Sequence, residues 1–465
     1  MHVATQAFLL EFLPAAIAVF FLTRAAAALF RLSARSTARA SVLVLVAVSA
    51  WFIVSSPAAW VMLGSASSAF VGAMLVERLK ARGDHRLAFA AMLTAVAVAV
   101  AAFASARWQM DGRSFAVAGV TVLCCHAMAY VIDVYRGEAT SGRPLESALY
   151  LLQFPVLAGG PIVRSRDFSG HHLRVADGVG LGAFTYGMRR LVIGIVKITL
   201  VAGTLGGPVD AIFALPPARL TADAAWLAAA CFSLQIYYQF SGYADLAIGL
   251  GRMFGLRYPE NFRRPYVADS VREFWRRWNI TAIMWLRDYL SLPIAGRDAP
   301  TPRLFLNIFL GFCLVGLWHG GGVNVLVWAA YSGVWLALEA VGLGTRLERW
   351  PRVLRHLYLI LVMVVGWVVL RADTNAQALH FLQTMTGVSG PRVLTAWRYL
   401  TPGVWTALIV AIVGAGPLVS WISRWRVTLD AATAAIVMMV TALSLFVWRG
   451  GTFLADVVRP LRARK

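Results

Sequence analysis

Charge is scarce in this chain, and acidic charge scarcer still. Only 14% of the residues are Asp, Glu, Lys or Arg, against about 25% in a soluble domain, and Asp plus Glu number 22 in 465. An ordinary water-soluble domain is excluded: 59% of the residues are hydrophobic and the mean hydropathy is +0.69, more apolar surface than a soluble core can use. Cysteine is also sparse. Cys124, Cys125, Cys231 and Cys313 lie within apolar runs and lack the paired spacing of metal ligands, so they read as small buried residues and not as a metal site. No G-x-S-x-G elbow, H-E-x-x-H, P-loop or dinucleotide-binding glycine pattern occurs, which removes the hydrolase, zinc-peptidase and nucleotide-binding classes those motifs carry. The first apolar stretch lacks the basic start of a cleavable signal and is long enough to be a retained span.

What the chain has instead is repetition of apolar segments about 20 residues long, the length that crosses a hydrocarbon core. Candidate spans are 7–30, 40–57, 58–76, 87–106, 114–134, 145–163, 180–205, 222–250, 304–321, 322–342, 354–371, 402–422 and 428–448. They predict an all-α polytopic membrane protein with ten to twelve transmembrane helices, the remaining segments being re-entrant or interfacial amphipathic helices around a central cavity. One membrane domain is expected over 1–465. It comprises N-terminal helices (1–110), a core (111–385) containing a cytoplasmic amphipathic segment (252–303), and C-terminal helices (386–465).

The net charge is +21. The basic residues sit mainly in short connections, the positive-inside pattern, and no nucleic-acid motif accompanies them. Membrane lipids, not nucleic acid, are the expected partners. Arg31, Arg35 and Arg39 form one basic loop, and Arg78, Lys80, Arg82 and Arg86 another. With two spans between them, both face the cytoplasm and the N-terminus lies outside.

The segment Arg252–Arg303 holds ten Arg and five Asp or Glu among several Trp and Tyr. In "REFWRRWNITAIMWLRDYLSLPI", Phe274, Trp275, Trp278, Ala282 and Trp285 recur near helical spacing and predict one amphipathic face at the cytoplasmic interface. Glu273 and Arg277 are spaced for an i,i+4 pair.

Ionisable residues inside apolar segments are costly and mark candidate sites. Here they are Glu11, Arg24, Asp133, Arg189, Arg190, Lys197, Asp245 and His319. Most have a bland reading: a helix end for Glu11 and Arg24, an interface beside Arg136 for Asp133, snorkelling for Lys197. For Asp245 it is an ion pair with Arg252 or Arg276. His319 stands apart. It is the one histidine in a 35-residue stretch, Leu304–Leu338, that has no Asp, Glu, Lys or Arg, and "HGGG" begins with it. Three glycines weaken a helix by roughly 1 kcal/mol each, and broken backbone at membrane depth persists only against protein or a water-filled cavity. The imidazole reads either as a cavity-lining general base or as a hydrogen-bonded packing histidine. His172 and Asp177 in "HLRVAD" have the H-x-x-x-x-D spacing of another acyltransferase class, without its supporting blocks.

The block "LQIYYQFSGYADLAIGLGRMFGLRYPENFRRPYVADSVREFWRRWNITAIMWLRDYLSLPIAG" resembles the central block of the membrane-bound O-acyltransferase family, in the branch holding the bacterial alginate O-acetyltransferases. "GLWHGGGVNVLVW" is similar to the family's histidine segment. "YVIDVYRGE", "YLLQFPVLAGGPIVRSRDF" and "VGWVVLRADTNAQAL" also resemble its members, and the matches run in family order over roughly residues 126 to 385. The resemblance implies transfer of an acyl group, acetyl above all, from a cytoplasmic thioester donor (acetyl-CoA or an acyl carrier) to a hydroxyl of an extracytoplasmic polysaccharide. No permanently bound cofactor is implied, and a periplasmic acetyl-transfer partner is. The location implied is the bacterial inner membrane.

By the same resemblance, His319 corresponds to the family's essential histidine and Asn279 to its polar partner. An asparagine cannot act as a base, but its amide can hydrogen-bond a developing oxyanion. Trp275, Trp278 and Trp318 would wall the pocket. Arg276 and Arg277, with Arg263 and Arg264, would meet donor phosphates, while Asp245 and Asn324 complete the expected substrate-binding set. Three residues depart from the alginate branch: Asn279 in "RRWN" for the usual His, Gln239 for Asp, and Ser332 for a second His. Acylation of a lipid, glycolipid or secreted metabolite is the alternative acceptor class. Proton-relay transport through His319 is the alternative outside enzymes.

Overall fold

The computed structural model describes residues 7–109, 114–141, 143–157, 159–168, 179–291, 301–319, 322–391 and 393–416. Among them the regular structure is helical and no strand element forms. The helices are α1 (Phe8–Leu29), α2 (Ala34–Val54), α3 (Ala59–Ala81), α4 (His85–Gln109), α5 (Ser114–Arg136), α6 (Pro144–Leu152), α7 (Leu181–Phe213) and α8 (Ala222–Met253). They continue with α9 (Val271–Arg277), α10 (Ile280–Leu286), α11 (Thr301–His319), α12 (Val323–Leu347), α13 (Arg352–Arg371), α14 (Asn375–Met385) and α15 (Pro402–Ala415). Eight of these, α1 to α4, α7 and α11 to α13, are long and apolar enough to cross a membrane. The protein is an all-α polytopic membrane protein.

Several expected spans take a different form. The segment 145–163 is not one helix: α6 stops at Leu152, and the chain runs irregularly past Pro155 and Pro161, which lack the N–H a helix interior needs. Only 14 residues of 402–422 form a described helix, α15. The span 428–448 and the His172–Asp177 pair lie outside the described residues. The two basic clusters lie at the α1–α2 and α3–α4 junctions, with only Arg31 and Arg82 in the connections and Arg35, Arg39, Arg78, Lys80 and Arg86 in the helix ends beside them.

The chain divides into two compact units. The first contains residues up to Ile195 and Gly242–Glu260. There α3, α4 and α5 pack on one another, and α1, α2 and α6 follow an aromatic seam of Phe8, Phe12, Phe52 and Phe154. The first half of α7 meets the end of α8 through small residues. A Cβ at Gly187 would stand 2.6 Å from the Gly249 carbonyl oxygen, and one at Gly194 2.7 Å from that of Gly242. Such approach is how helices associate where lipid removes the hydrophobic drive. Asp133, expected at an interface, is instead fully buried and accepts the Arg166 backbone N–H at 3.1 Å.

The second unit contains Val196–Ser241 and Asn261–Leu429. Its centre is the hairpin of α11 and α12. A Cβ at Gly316 would lie 2.7 Å from Ala329 Cβ, and one at Gly333 2.9 Å from Phe312 Cβ. Since 316 faces 329 and 312 faces 333, the helices run antiparallel and turn back between His319 and Val323. Helix α13 packs on the outer side of α12.

The amphipathic segment is two short helices where the spacing predicts one. The backbone breaks at Asn279, which is left-handed (φ 43°, ψ 51°), a conformation asparagine tolerates better than most residues. Residues 261–263 stabilise the break. Arg263 N–H donates to Arg277 O and Ile280 N–H to Asn261 O, both at 2.9 Å, while Asn261 Oδ1 accepts Thr281 N–H at 3.0 Å. Phe274, Trp275, Trp278 and Trp285 are all buried, so the break turns an expected surface face into core. The Glu273–Arg277 pair forms at 2.7 Å.

Candidate active site

Helix α11 ends at His319 and α12 begins at Val323, with Gly322 extended at its N-cap; Gly320 and Gly321 lie outside the described residues. The imidazole is exposed, and its ring centre stands 6.0 Å from that of Trp328, nearly perpendicular to it. The ring is therefore not sealed in packed side chains.

Behind it lies an aromatic wall. Trp328 stacks on Trp367 at 6.0 Å and meets Trp275 edge-on at 6.4 Å. Trp367 continues to Trp278 at 5.2 Å, and Trp275 to Phe312 at 5.0 Å. On the other side of the segment, Trp285 meets Trp318 edge-on at 5.8 Å. Of the expected set, Trp275 and Trp278 are linked to His319 through the rings of Trp328 and Trp367, whereas Trp318 meets Trp285. Trp328 and Trp367 are members that sequence reading missed; both sit in apolar runs where a tryptophan carries no distinguishing signal.

Asn279 follows Trp278 directly, and ring contacts through Trp367 and Trp328 connect that position to His319. Its backbone occupies the N-cap of α10 but its side chain makes no capping bond, because Asn261 satisfies that helix end. The amide has no hydrogen-bond partner among the described residues and is only part-buried. Asn324 is engaged: its Nδ2 donates to Ala372 O at 2.5 Å, pinning the start of α12 to the end of α13.

Arg276 and Arg277 point elsewhere. They line a cavity of about 250 Å³ together with Arg272, Arg352, Arg355 and Glu339, at the opposite end of the α11–α12 hairpin. Arg277 is paired with Glu273 and Arg355 with Asp269 (2.9 Å). Arg272, Arg276 and Arg352 are exposed and have no ion-pair partner among the described residues. Glu339, only 2% exposed, accepts the Val271 and Arg272 N–H groups at 2.8 Å each and so satisfies the first turn of α9. Its signal was in the sequence: it ends the charge-free stretch. Arg263 and Arg264 do not line this cavity.

Asp245 belongs to the first unit, and its partner is neither Arg252 nor Arg276. It is Arg190, whose Nε lies 2.5 Å from Asp245 Oδ1 and whose other nitrogens bind Glu260 (2.8 Å and 2.5 Å) and Tyr186 Oη (3.1 Å). The glycine contacts of α7 with α8 bring Arg190 and Asp245 face to face, while Arg252 lies over the Tyr186 ring at 5.6 Å. Asp245→Asn removes one of the two carboxylates that hold Arg190 and leaves Glu260 in place, so it is expected to destabilise the purified protein by about 1–2 kcal/mol, the scale of one charge-assisted hydrogen bond, read as a lowered unfolding midpoint. Residual enzyme at permissive temperature should keep its substrate KM if Asp245 is structural.

The chain belongs to the membrane-bound O-acyltransferase family, whose sequence profile it matches over residues 114–356, a range that includes Asn279 and His319. Within the family it is 40% identical over 271 residues to a Pseudomonas fluorescens protein described as probable alginate O-acetylase AlgI, covering 58% of this chain and 53% of that one. A Helicobacter pylori peptidoglycan O-acetyltransferase is 32% identical over 257 residues (53% and 47%), and a Bacillus subtilis teichoic acid D-alanyltransferase 25% over 231 residues (46% and 57%). The chain spans about half the length of the curated relatives it matches.

Proposed function

We propose that this protein is an O-acyltransferase of the bacterial inner membrane. It moves an acyl group, acetyl above all, from a cytoplasmic thioester to a hydroxyl of an extracytoplasmic polysaccharide. The observation that carries the reading is the exposed His319 imidazole at the α11–α12 turn, held against Trp328. His319 takes the proton of the acceptor hydroxyl as its oxygen attacks the thioester carbonyl. The tetrahedral intermediate collapses, the C–S bond breaks, and the proton passes to the departing thiolate. The Asn279 amide donates to the developing oxyanion.

The arginine-lined cavity fits a phosphate-bearing donor. It opens beside the α12–α13 connection, where Arg346, Arg349 and Arg352 cluster as positive-inside topology requires on the cytoplasmic face. From Val323 to Glu339 the rise of α12 is about 24 Å. A pantetheine arm, comparable to roughly six residues of extended chain, reaches about 20 Å. The cavity and the histidine are therefore separated by about one donor arm. Acetyl-CoA and an acyl-carrier phosphopantetheine share this chemistry. The double variant Arg276→Ala/Arg352→Ala is expected to raise the donor KM about tenfold or more, from the loss of charge-assisted contacts, with kcat little changed. Steady-state kinetics at varied donor concentration checks this.

The acceptor reading rests on relatives named for alginate, peptidoglycan and teichoic acid, all envelope polymers. A periplasmic partner that directs the transfer accompanies it. Mass spectrometry of envelope polymers and lipids from cells with and without the protein tests the function. An ester lost from a polysaccharide supports it; an ester lost only from a lipid or secreted metabolite moves the acceptor class. No lost ester, with no thioester consumed by the purified protein, overturns it.

A further inference from the structure

The aromatic wall behind His319 contains an asymmetry in its hydrogen bonding. Trp367 is satisfied: its Nε1–H donates to Tyr266 Oη at 3.0 Å, and Tyr266 donates in turn to Ser233 O at 2.6 Å. Burial pushes the Tyr266 phenol well above its ordinary pKa, so it keeps its proton. Trp275 and Trp328 are nearly as buried, each 5% exposed, yet neither indole N–H has a hydrogen-bond partner among the described residues. Buried N–H groups are nearly always paired, and an unpaired one calls for a reason such as catalysis or a ligand. These two come from different helices, α9 and α12, with rings 6.4 Å apart, and one of them is the ring nearest His319 in the wall.

We infer that the Trp275 and Trp328 indole N–H groups are the hydrogen-bond donors that receive the acyl carbonyl oxygen of the donor thioester. The inference rests on the acyl-transfer reading above and adds two residues to it. As the hydroxyl oxygen bonds to the carbonyl carbon, the C=O electron pair moves to oxygen, and that negative charge is what the two N–H groups meet. The indoles are neutral and donor-only, so they bind an oxyanion without competing for the proton that His319 takes. Shielding from water raises their worth, since fixed donors act more strongly in a low-dielectric site. Because neither nitrogen is open to water in the resting protein, the entering acyl group parts the rings to reach them. The Tyr266–Trp367 chain holds the wall behind.

Phenylalanine separates the N–H from the ring. In full-length protein expressed at equal level in cells lacking the native copy, Trp328→Phe and Trp275→Phe are each expected to slow acyl-ester formation on envelope polymers about 10²-fold, the scale of one oxyanion donor. Unfolding midpoints of the purified variants fall modestly, since the smaller ring leaves a cavity while a buried unpaired donor is removed, and the activity is read on the folded fraction. Trp367→Phe leaves Tyr266 without its partner and should lower the midpoint further. His319→Ala is run beside them. Inactive His319→Ala with fully active Trp328→Phe and Trp275→Phe overturns this inference alone, and assigns the N–H groups to weak contacts with neighbouring ring faces. Full activity in His319→Ala overturns the acyl-transfer chemistry on which it rests.

Discussion

Replacing His319 by alanine is expected to abolish acyl transfer while the protein accumulates and folds as wild type. Both halves follow from position. The ring is exposed at the C-terminal end of α11, so its removal opens no cavity in the core. The hairpin it terminates is held by the Gly316–Ala329 and Gly333–Phe312 approaches and by the Asn324 bond to Ala372, none of which needs the imidazole. The loss of function is large because no substitute base stands in the wall: the nearest ring is an indole, and indoles do not accept protons. General-base catalysis contributes about 10² to 10⁴ in rate, so turnover should fall by about that factor. The checks are ester formation in cells and thioester consumption by purified protein, with the unfolding midpoint as control. Wild-type turnover in a folded His319→Ala protein would falsify the assignment.

The fold class was legible because each span is a run of apolar residues, and the hairpin turn because glycines punctuate it. Residue-level partners were less so. The histidine was visible as the one imidazole in 35 residues free of Asp, Glu, Lys and Arg. The Arg190 partner of Asp245 was not, because the pair, 55 residues apart, depends on glycines on two distant segments closing two helices together, and glycine spacing does not announce its partner. The amphipathic segment shows the opposite failure. Its aromatic period is real, but periodicity alone does not detect a single left-handed residue. The information that breaks the helix sits at Asn261, whose side chain caps the second half from outside the segment. Glu339 closes the same kind of gap, holding the first turn of α9 from the far end of α12. Of the four arginines singled out together, only Arg276 and Arg277 reach the cavity, with Arg272 from the same helix. Arg352 and Arg355 join them from a segment distant in sequence.

Asn279 poses the sharper test, because its identity has two explanations. One is the backbone: a φ of 43° favours asparagine or glycine, and another side chain in the left-handed region costs about 1–2 kcal/mol. The other is the amide, unpartnered among the described residues and part-buried beside Trp278. Alanine confounds them, since it removes the amide and strains the turn together. Glycine does not. Asn279→Gly keeps the left-handed backbone at little cost, and Asn261 still caps α10, so the fold survives. If the amide stabilises the oxyanion, Asn279→Gly should lower kcat about 10²–10³-fold with an unfolding midpoint near wild type. Asn279→Asp goes further: it preserves size and turn preference but sets a carboxylate against the developing negative charge, and is expected to be at least as impaired as glycine. If Asn279→Gly turns over at the wild-type rate, the residue serves only the turn. The oxyanion would then depend on the indole donors of Trp275 and Trp328, and the Trp→Phe variants would carry the whole effect.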